Sequence, residues 1–239
     1  MHFHLPKPLH GWREFAGEVG IIVVGVLIAL AAEQVVETIH WRDTAAAARE
    51  SLGEEMQNEY FAASEMAMAQ PCIDRQLQLL EAAVLAPEPF RPVPSYSEGA
   101  MTFTFRAPSR AWSHDVWQSV SNDGTAAHFD RTTRLGLASF YGLTDYLREE
   151  NLMADSLRMR LGALSRPIHP DGASRAQLIA DIAQARSLYA LLALVSNQLI
   201  GQGEAVGFQP TAQALRADKS GTLTFCRTHH LPLGKVKPA

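Results

Sequence analysis

The sequence predicts an all-α protein, in which an N-terminal transmembrane helix continues into an antiparallel helical bundle of the four-helix type. Two observations lead to this prediction. One strongly apolar run, Val19 to Ala32, lies near the N-terminus. Beyond it, four stretches repeat apolar residues at steps of three and four within otherwise polar sequence, which is typical of amphipathic helices. Helices packed on helices are therefore the expected architecture.

The apolar run is short for a membrane span, because Val19 to Ala32 would extend only about 21 Å as a helix. With the flanking apolar residues, Gly17 to Val36 would extend about 30 Å, which matches the hydrocarbon core of a bilayer. We therefore predict a permanent anchor over residues 15–40. Two alternatives stay open: a cleaved signal peptide with a site at Ala29-Leu30-Ala31, and a buried helix of a soluble domain.

Two Trp-Arg pairs bracket the predicted anchor. Trp rings favour the membrane–water boundary and Arg side chains reach for headgroups, so the pairs predict an interface belt about 43 Å across. The members of this belt are Trp12, Arg13, Trp41 and Arg42.

The predicted orientation places the N-terminus in the cytoplasm. Lys7, Arg13 and the α-amine precede the apolar run, whereas Arg42 and Arg49 follow it, which is a slight positive-inside bias. The expected location is the bacterial inner membrane, crossed once, with the bulk of the chain in the periplasm. The predicted parts are a short cytoplasmic tail (1–14), the anchor (15–40), a helical bundle domain (41–218) and an extended C-terminal tail (219–239).

One face of the predicted anchor carries small and acidic residues. Steps of four, three, four and four place Glu18, Ile22, Gly25, Ala29 and Glu33 on one side of a helix. Small residues at this spacing permit close approach of another helix, and membrane carboxylates usually face protein or water. The face predicts contact with another membrane protein, besides membrane lipid. Alternatively, both acids reach the headgroups and the small residues are incidental.

The bundle helices follow from periodicity and punctuation. The first continues from the anchor to about Met68, and Pro71 ends it or opens the second. The third begins after Asp130, a suitable N-cap, and runs to about Leu164. Ser174 is the predicted N-cap of the fourth. Short helices are expected at 112–121 and 211–217.

Two short segments alternate like strands. Met101 to Phe105 lies within the proline-rich loop Pro87 to Pro108, and Thr222 to Phe225 lies near the C-terminus. They are expected either to pair as a small two-strand ladder or to pack as two extended loops with their Phe residues on the core.

The cysteine count is two, and both residues lie beyond the predicted anchor. An even count in an exported domain fits a disulfide between Cys72 and Cys226. The alternative is a pair of unrelated buried thiols.

Composition argues against several classes of function. The chain has 239 residues and a net charge of −4, without a basic stripe, so we expect no nucleic-acid partner. Nine histidines invite a metal site, but the HExxH and CxxC spacings are absent. G-x-S-x-G and phosphate-loop motifs are absent too. We expect no enzyme, and no catalytic, cofactor-binding or metal-binding residues.

Two segments resemble known proteins. Residues 11–34, GWREFAGEVGIIVVGVLIALAAEQ, followed by HWR at 40–42, resemble the N-terminus of uncharacterised single-span proteins of bacterial envelopes. The segment VWQSVSNDG at 116–124, followed by Phe140-Tyr141, is similar to a recurring helix of those proteins. The resemblance implies a helix-rich domain after the span, and it implies no activity or catalytic residues.

The expected function is interaction. An anchor face that suits a partner helix, together with no catalytic set, predicts an accessory or scaffold subunit of a larger inner-membrane complex. The alternative is a periplasmic ligand-binding sensor bundle that acts through a separate partner. A buried polar pocket between helices would favour the sensor, and a flat apolar flank would favour the scaffold.

Overall fold

The computed structural model describes residues 11–86, 90–98 and 100–236. These residues form two compact units that meet between Ala47 and Ala48. The predicted all-α class is confirmed. Lys7 and most of the predicted N-terminal tail lie outside the described residues.

Five α-helices account for most of the described chain. They are α1 (Trp12–Leu85), α2 (Asp115–Asn122), α3 (Arg131–Leu161), α4 (Gly172–Ala205) and α5 (Gly221–Thr228). Three 3₁₀ turns lie between them, at Thr125–His128, Gly162–Ser165 and Ala214–Lys219. Two three-residue strands, β1 (Tyr96–Glu98) and β2 (Met101–Phe103), form an antiparallel hairpin with Tyr96 opposite Phe103.

The second unit is built around three long helical segments: α1 from Ala48 onward, α3 and α4. α4 runs antiparallel to α1, since Arg186 Nε lies 2.8 Å from Asp74 Oδ1, while Gln57 near the start of the unit donates to the carbonyl of Gln209 beyond the end of α4. α4 is also antiparallel to α3, and Arg160 Nε lies 3.2 Å from Asp181 Oδ2. Their shared core contains Leu52, Ile73, Leu77, Phe140, Leu147, Leu157, Ile182, Leu192 and Leu199.

The predicted interruption at Pro71 is absent, because α1 continues through it to Leu85. Proline has no N–H for the carbonyl four residues earlier, and it normally kinks or ends a helix. Here the C-terminal segment lies against this turn. The N–H of Gly234 donates to the carbonyl of Met68 at 2.8 Å, and a Cβ on Gly234 would come within 2.8 Å of the carbonyl oxygen of Ala67. Tertiary contact therefore replaces part of the hydrogen bonding that the proline removes.

Helix starts in the second unit are defined by side-chain caps. Asp130 accepts a hydrogen bond from the N–H of Thr133 at 2.9 Å, so the predicted cap of α3 is confirmed. The predicted cap Ser174 is wrong. Asp171 is the N-cap of α4, and it accepts from the N–H of Ser174 at 2.7 Å. The carboxylate comes first in the chain and accepts the hydrogen bond that the serine hydroxyl was expected to provide for.

The predicted pairing of the two strand-like segments is wrong. Met101–Phe103 is a strand, but it pairs with Tyr96–Glu98, which is close enough in sequence to form a hairpin. Thr222 to Phe225 lies instead within α5, whose N-cap Ser220 accepts from the N–H of Leu223 at 3.2 Å. The predicted extended tail over 219–239 is corrected accordingly, since Gly221–Thr228 is helical.

A disulfide joins Cys72 of α1 to Cys226 of α5, and their Cα atoms lie 6.0 Å apart. This is the pairing that the cysteine count suggested. Cys226 is completely buried, and so is Cys72. The bond fastens α5, and with it the C-terminal segment, to the turn of α1 that contains Pro71.

Candidate functional site

The most apolar part of the molecule has no partner within the described chain. Every residue from 11 to 40 is exposed, and none of the most apolar 18-residue window of α1 is buried. Water is a poor solvent for such a surface, since burial is worth about 25 cal/mol for each Å² of apolar area. This segment of α1 is therefore the first candidate functional site. Its length and composition suit a membrane span or a signal sequence.

The predicted partner face lies on one side of a continuous helix. The residues Glu18, Ile22, Gly25, Ala29 and Glu33 all fall within α1 and are all exposed. A Cβ built on Gly25 meets no atom within 4 Å, so the backbone there is open to close approach. The helix brings these five residues together, and the structure tests neither a partner nor a bilayer.

The predicted interface belt lies at the two ends of the apolar segment. Trp12 and Trp41 are separated by 29 residues of uninterrupted helix, which corresponds to about 43 Å. The ring of Trp12 lies 6.0 Å from that of Phe15, and Trp41 Nε1 donates to Glu37 Oε1 at 3.4 Å. Arg13 and Arg42 follow the two indoles and are exposed.

A second helix, α4, is also long and apolar enough to cross a membrane, but 44% of its apolar window is buried. Its inward residues pack in the core of the second unit, and it carries Asp181 and Arg186, both of which form ion pairs. We therefore interpret α4 as a core helix of the bundle.

The second candidate site is a pair of buried carboxylates on α1. Glu55 and Glu59 lie one helical turn apart and are only 7% and 1% exposed. Both bind Ser113: its N–H donates to Glu59 Oε1 at 2.9 Å, and its hydroxyl donates to Glu55 Oε1 at 3.0 Å. Glu55 also accepts from the N–H groups of Val116 and Trp117, at 3.1 and 3.4 Å.

This arrangement caps α2 from another helix. His114, the residue at the N-cap of α2, makes no capping hydrogen bond with its side chain. The carboxylate of Glu55 takes that role, because the first N–H groups of a helix lack partners and the helix dipole favours negative charge there. The two glutamates thus fasten the start of α2 to α1.

The electrostatics of the pair follow from burial. Burial raises the pKa of Glu59 to about 8; the N–H of Ser113 opposes this rise and the nearby Glu55 adds to it. Glu59 Oε2 is buried without a hydrogen-bond partner among the described residues. Burial, with the charges of Glu55 and Glu59, also raises the pKa of Tyr141, whose ring stacks on Trp117 at 5.5 Å. Two carboxylates in so dry a site cannot both ionise cheaply.

The histidine nearest to this pair in sequence is held by α3. His114 Nδ1 bonds to Asp145, and His114 Nε2 lies 3.3 Å from Arg148 Nη1. In the part of the chain that the structure describes, no three His, Cys, Asp or Glu side chains converge as a metal site would require. The cluster is therefore suited to holding α2 and to binding protons.

Sequence reasoning missed these carboxylates because it assigned the acids of α1 to a solvated face. α1 is in fact covered on several sides in the second unit, where Glu65 is also buried and bonds Arg110 Nε at 2.6 Å. A usable signal was the one-turn spacing of Glu55 and Glu59 together with the polar and aromatic residues around Ser113.

A cavity of about 540 Å³ lies in the second unit beside the hairpin and α5. Its lining is mainly apolar, with Leu79, Val93, Tyr96 and Phe225 beside the imidazole of His229. A volume in this range suits a small molecule.

No protein-family model matches this chain, and no curated protein or solved structure is significantly similar to it.

Proposed function

We propose that this chain is a membrane-anchored interaction protein, in which one span tethers a helical domain that serves as an accessory or scaffold subunit of a larger inner-membrane complex. The observation that carries the proposal is the exposed apolar segment of α1. A bilayer would remove this surface from water and satisfy its length, because about 20 residues cross the hydrocarbon core.

The disulfide supports an exported location for the helical domain. Bonds of this kind persist in the periplasm and are rare in the reducing cytosol. Cys72 and Cys226 both lie in the second unit. With the basic residues Arg13 and Lys7 before the span, this supports a cytoplasmic N-terminus.

The open backbone at Gly25 supports a partner within the membrane. Helices in lipid associate through close packing and hydrogen bonds, since lipid is as apolar as the side chains. Gly25 and Ala29 leave room for such packing, and Glu18 and Glu33 provide acceptors near the two boundaries.

Topology and retention are tested together. Alkaline phosphatase fused after Ala86 or Ala239 should be active, ordinary GFP at the same sites should be dark, and the protein should resist carbonate extraction. Intact-mass spectrometry should show that Met1 to Ala31 are retained. Bright GFP at both sites would refute the orientation, and a new N-terminus at Ala32 would establish a cleaved signal peptide.

The partner is tested by crosslinking in cells. A photoreactive residue at Ala29 should capture another protein's helix, and Gly25→Leu should reduce capture roughly ten-fold, since such contacts are worth about 1–2 kcal/mol. Leu27→Ala, on a different face, is the matched control and should leave capture unchanged. Capture of lipid alone at Ala29, with capture of protein from the bundle, would make the anchor a passive tether.

A second candidate function is a ligand-binding sensor, favoured by the 540 Å³ cavity. Native mass spectrometry of protein purified from its own cells should then show a retained small molecule. Leu79→Trp, which fills the cavity, should abolish retention. Identical spectra for the two proteins would refute the sensor.

A further inference from the structure

The outward face of α3 exposes apolar side chains that nothing in the described chain covers. Leu135 is 55% exposed, Tyr146 39% and Met153 49%. At 3.6 residues per turn, all three point within about 40° of Gly142. No atom lies within 4 Å of a Cβ built on Gly142, so this face has an open backbone at its centre.

Charges are distributed along this face with opposite signs on the two sides of Gly142. Arg131 and Arg134 lie in the first turn of α3, and Glu149 lies two turns beyond Gly142. All three are exposed, and none forms an ion pair with another described residue. Arginines at a helix N-terminus oppose the helix dipole, which favours anions there. An external carboxylate would relieve that mismatch.

We propose that this face of α3 binds a second copy of the same chain, with the two α3 helices antiparallel and crossing at Gly142. A two-fold axis through Gly142 places each residue level with the one equally far on the other side. Glu149 of one copy, about 10.5 Å from the axis, then lies level with Leu135 of the other, between Arg131 and Arg134.

The symmetry makes each contact occur twice. Both ends of the interface gain an acid between two arginines, while Gly142 allows the helix backbones to approach and the exposed Tyr146 lies level with Ala138. A second copy is the occupant that the charges specify, because the face is complementary to itself only in the antiparallel arrangement. A parallel arrangement would set Glu149 against Glu149 and arginine against arginine.

The test uses full-length protein in mild detergent, in a Gly25→Leu background that removes association through the anchor. Gly142→Cys should form a disulfide-linked dimer on mild oxidation, since the two introduced thiols would meet at the axis. Gly172→Cys, at an exposed glycine at the start of α4, is the matched control and should stay monomeric.

Charge reversal gives the second arm, measured by sedimentation velocity. Glu149→Arg should weaken dimerisation at least ten-fold, and so should the double variant Arg131→Glu/Arg134→Glu. All three changes together should restore it, and a mixture of the two charge variants should form a heterodimer. The proposal is overturned if Gly142→Cys fails to crosslink, or if charge reversal leaves the monomer–dimer equilibrium unchanged. Because the anchor contact is already disabled, failure here leaves the proposed anchoring function standing.

Discussion

The buried carboxyl of Glu59 should make the folded protein sensitive to alkaline pH. Burial raises its pKa from 4.5 to about 8, and one pKa unit is equivalent to about 1.4 kcal/mol. Ionising Glu59 in the folded state therefore costs on the order of 5 kcal/mol, which is comparable to the whole stability of a small domain. Local opening around Ser113 would hydrate the carboxylate and lower this cost.

The direction of the pH dependence follows from proton linkage. The folded state holds the Glu59 proton more tightly than the unfolded chain, so the free energy of unfolding falls as pH rises from about 4.5 to about 8. Below this window both states are protonated and the penalty is absent; above it the penalty is complete.

Glu59→Gln isolates this effect, because the amide keeps the shape and an acceptor for the N–H of Ser113 but cannot ionise. Urea unfolding of the full-length protein in detergent should give similar stability for variant and wild type at pH 5. At pH 9 the variant should be more stable by about 3–5 kcal/mol.

Glu54→Gln is the matched control, since Glu54 is the exposed acid on the same stretch of α1, and it should show no such pH-dependent difference. If Glu59→Gln and wild type differ by the same amount at pH 5 and pH 9, Glu59 is not protonated at neutral pH. The reasoning from burial would then be wrong.

Two further predictions concern the scaffold around this site. Cys72→Ser together with Cys226→Ser should lower the free energy of unfolding by about 4–5 kcal/mol, because the bond closes a long loop in the unfolded chain, and alkylation of the denatured wild type without reductant should detect no free thiol. Asp171→Ala should cost about 1 kcal/mol through loss of the α4 cap, whereas Ser174→Ala should cost much less, since the serine supplies only its backbone N–H; equal losses in thermal melts would contradict this assignment.

The sequence predicts the helices well because their signals are local. Apolar periodicity identifies α3 and α4, and the carboxylate of Asp130 marks where α3 begins. The disulfide partners were predictable for a simpler reason, since two cysteines allow only one intramolecular pair.

The misjudged features depend on tertiary contacts. Pro71 is a local helix breaker, yet Gly234 from the far end of the chain donates to the carbonyl of Met68 and the helix continues. Glu55 and Glu59 look solvated in a periodicity that has one inward face, but α2 and α3 cover a second side of α1. Thr222 to Phe225 alternates like a strand, while the cap Ser220 and the fixed Cys226 favour a helix.

The disulfide also determines how the protein would carry tension. Cys72 and Cys226 are 154 positions apart in sequence, so a force applied between the two ends of the chain crosses the bond and bypasses α3 and α4. Roughly 500 Å of chain contour would stay hidden from a pulling instrument until a reductant cleaves the bond. A domain held at one end by a bilayer and at the other by a partner would thus keep its core unloaded.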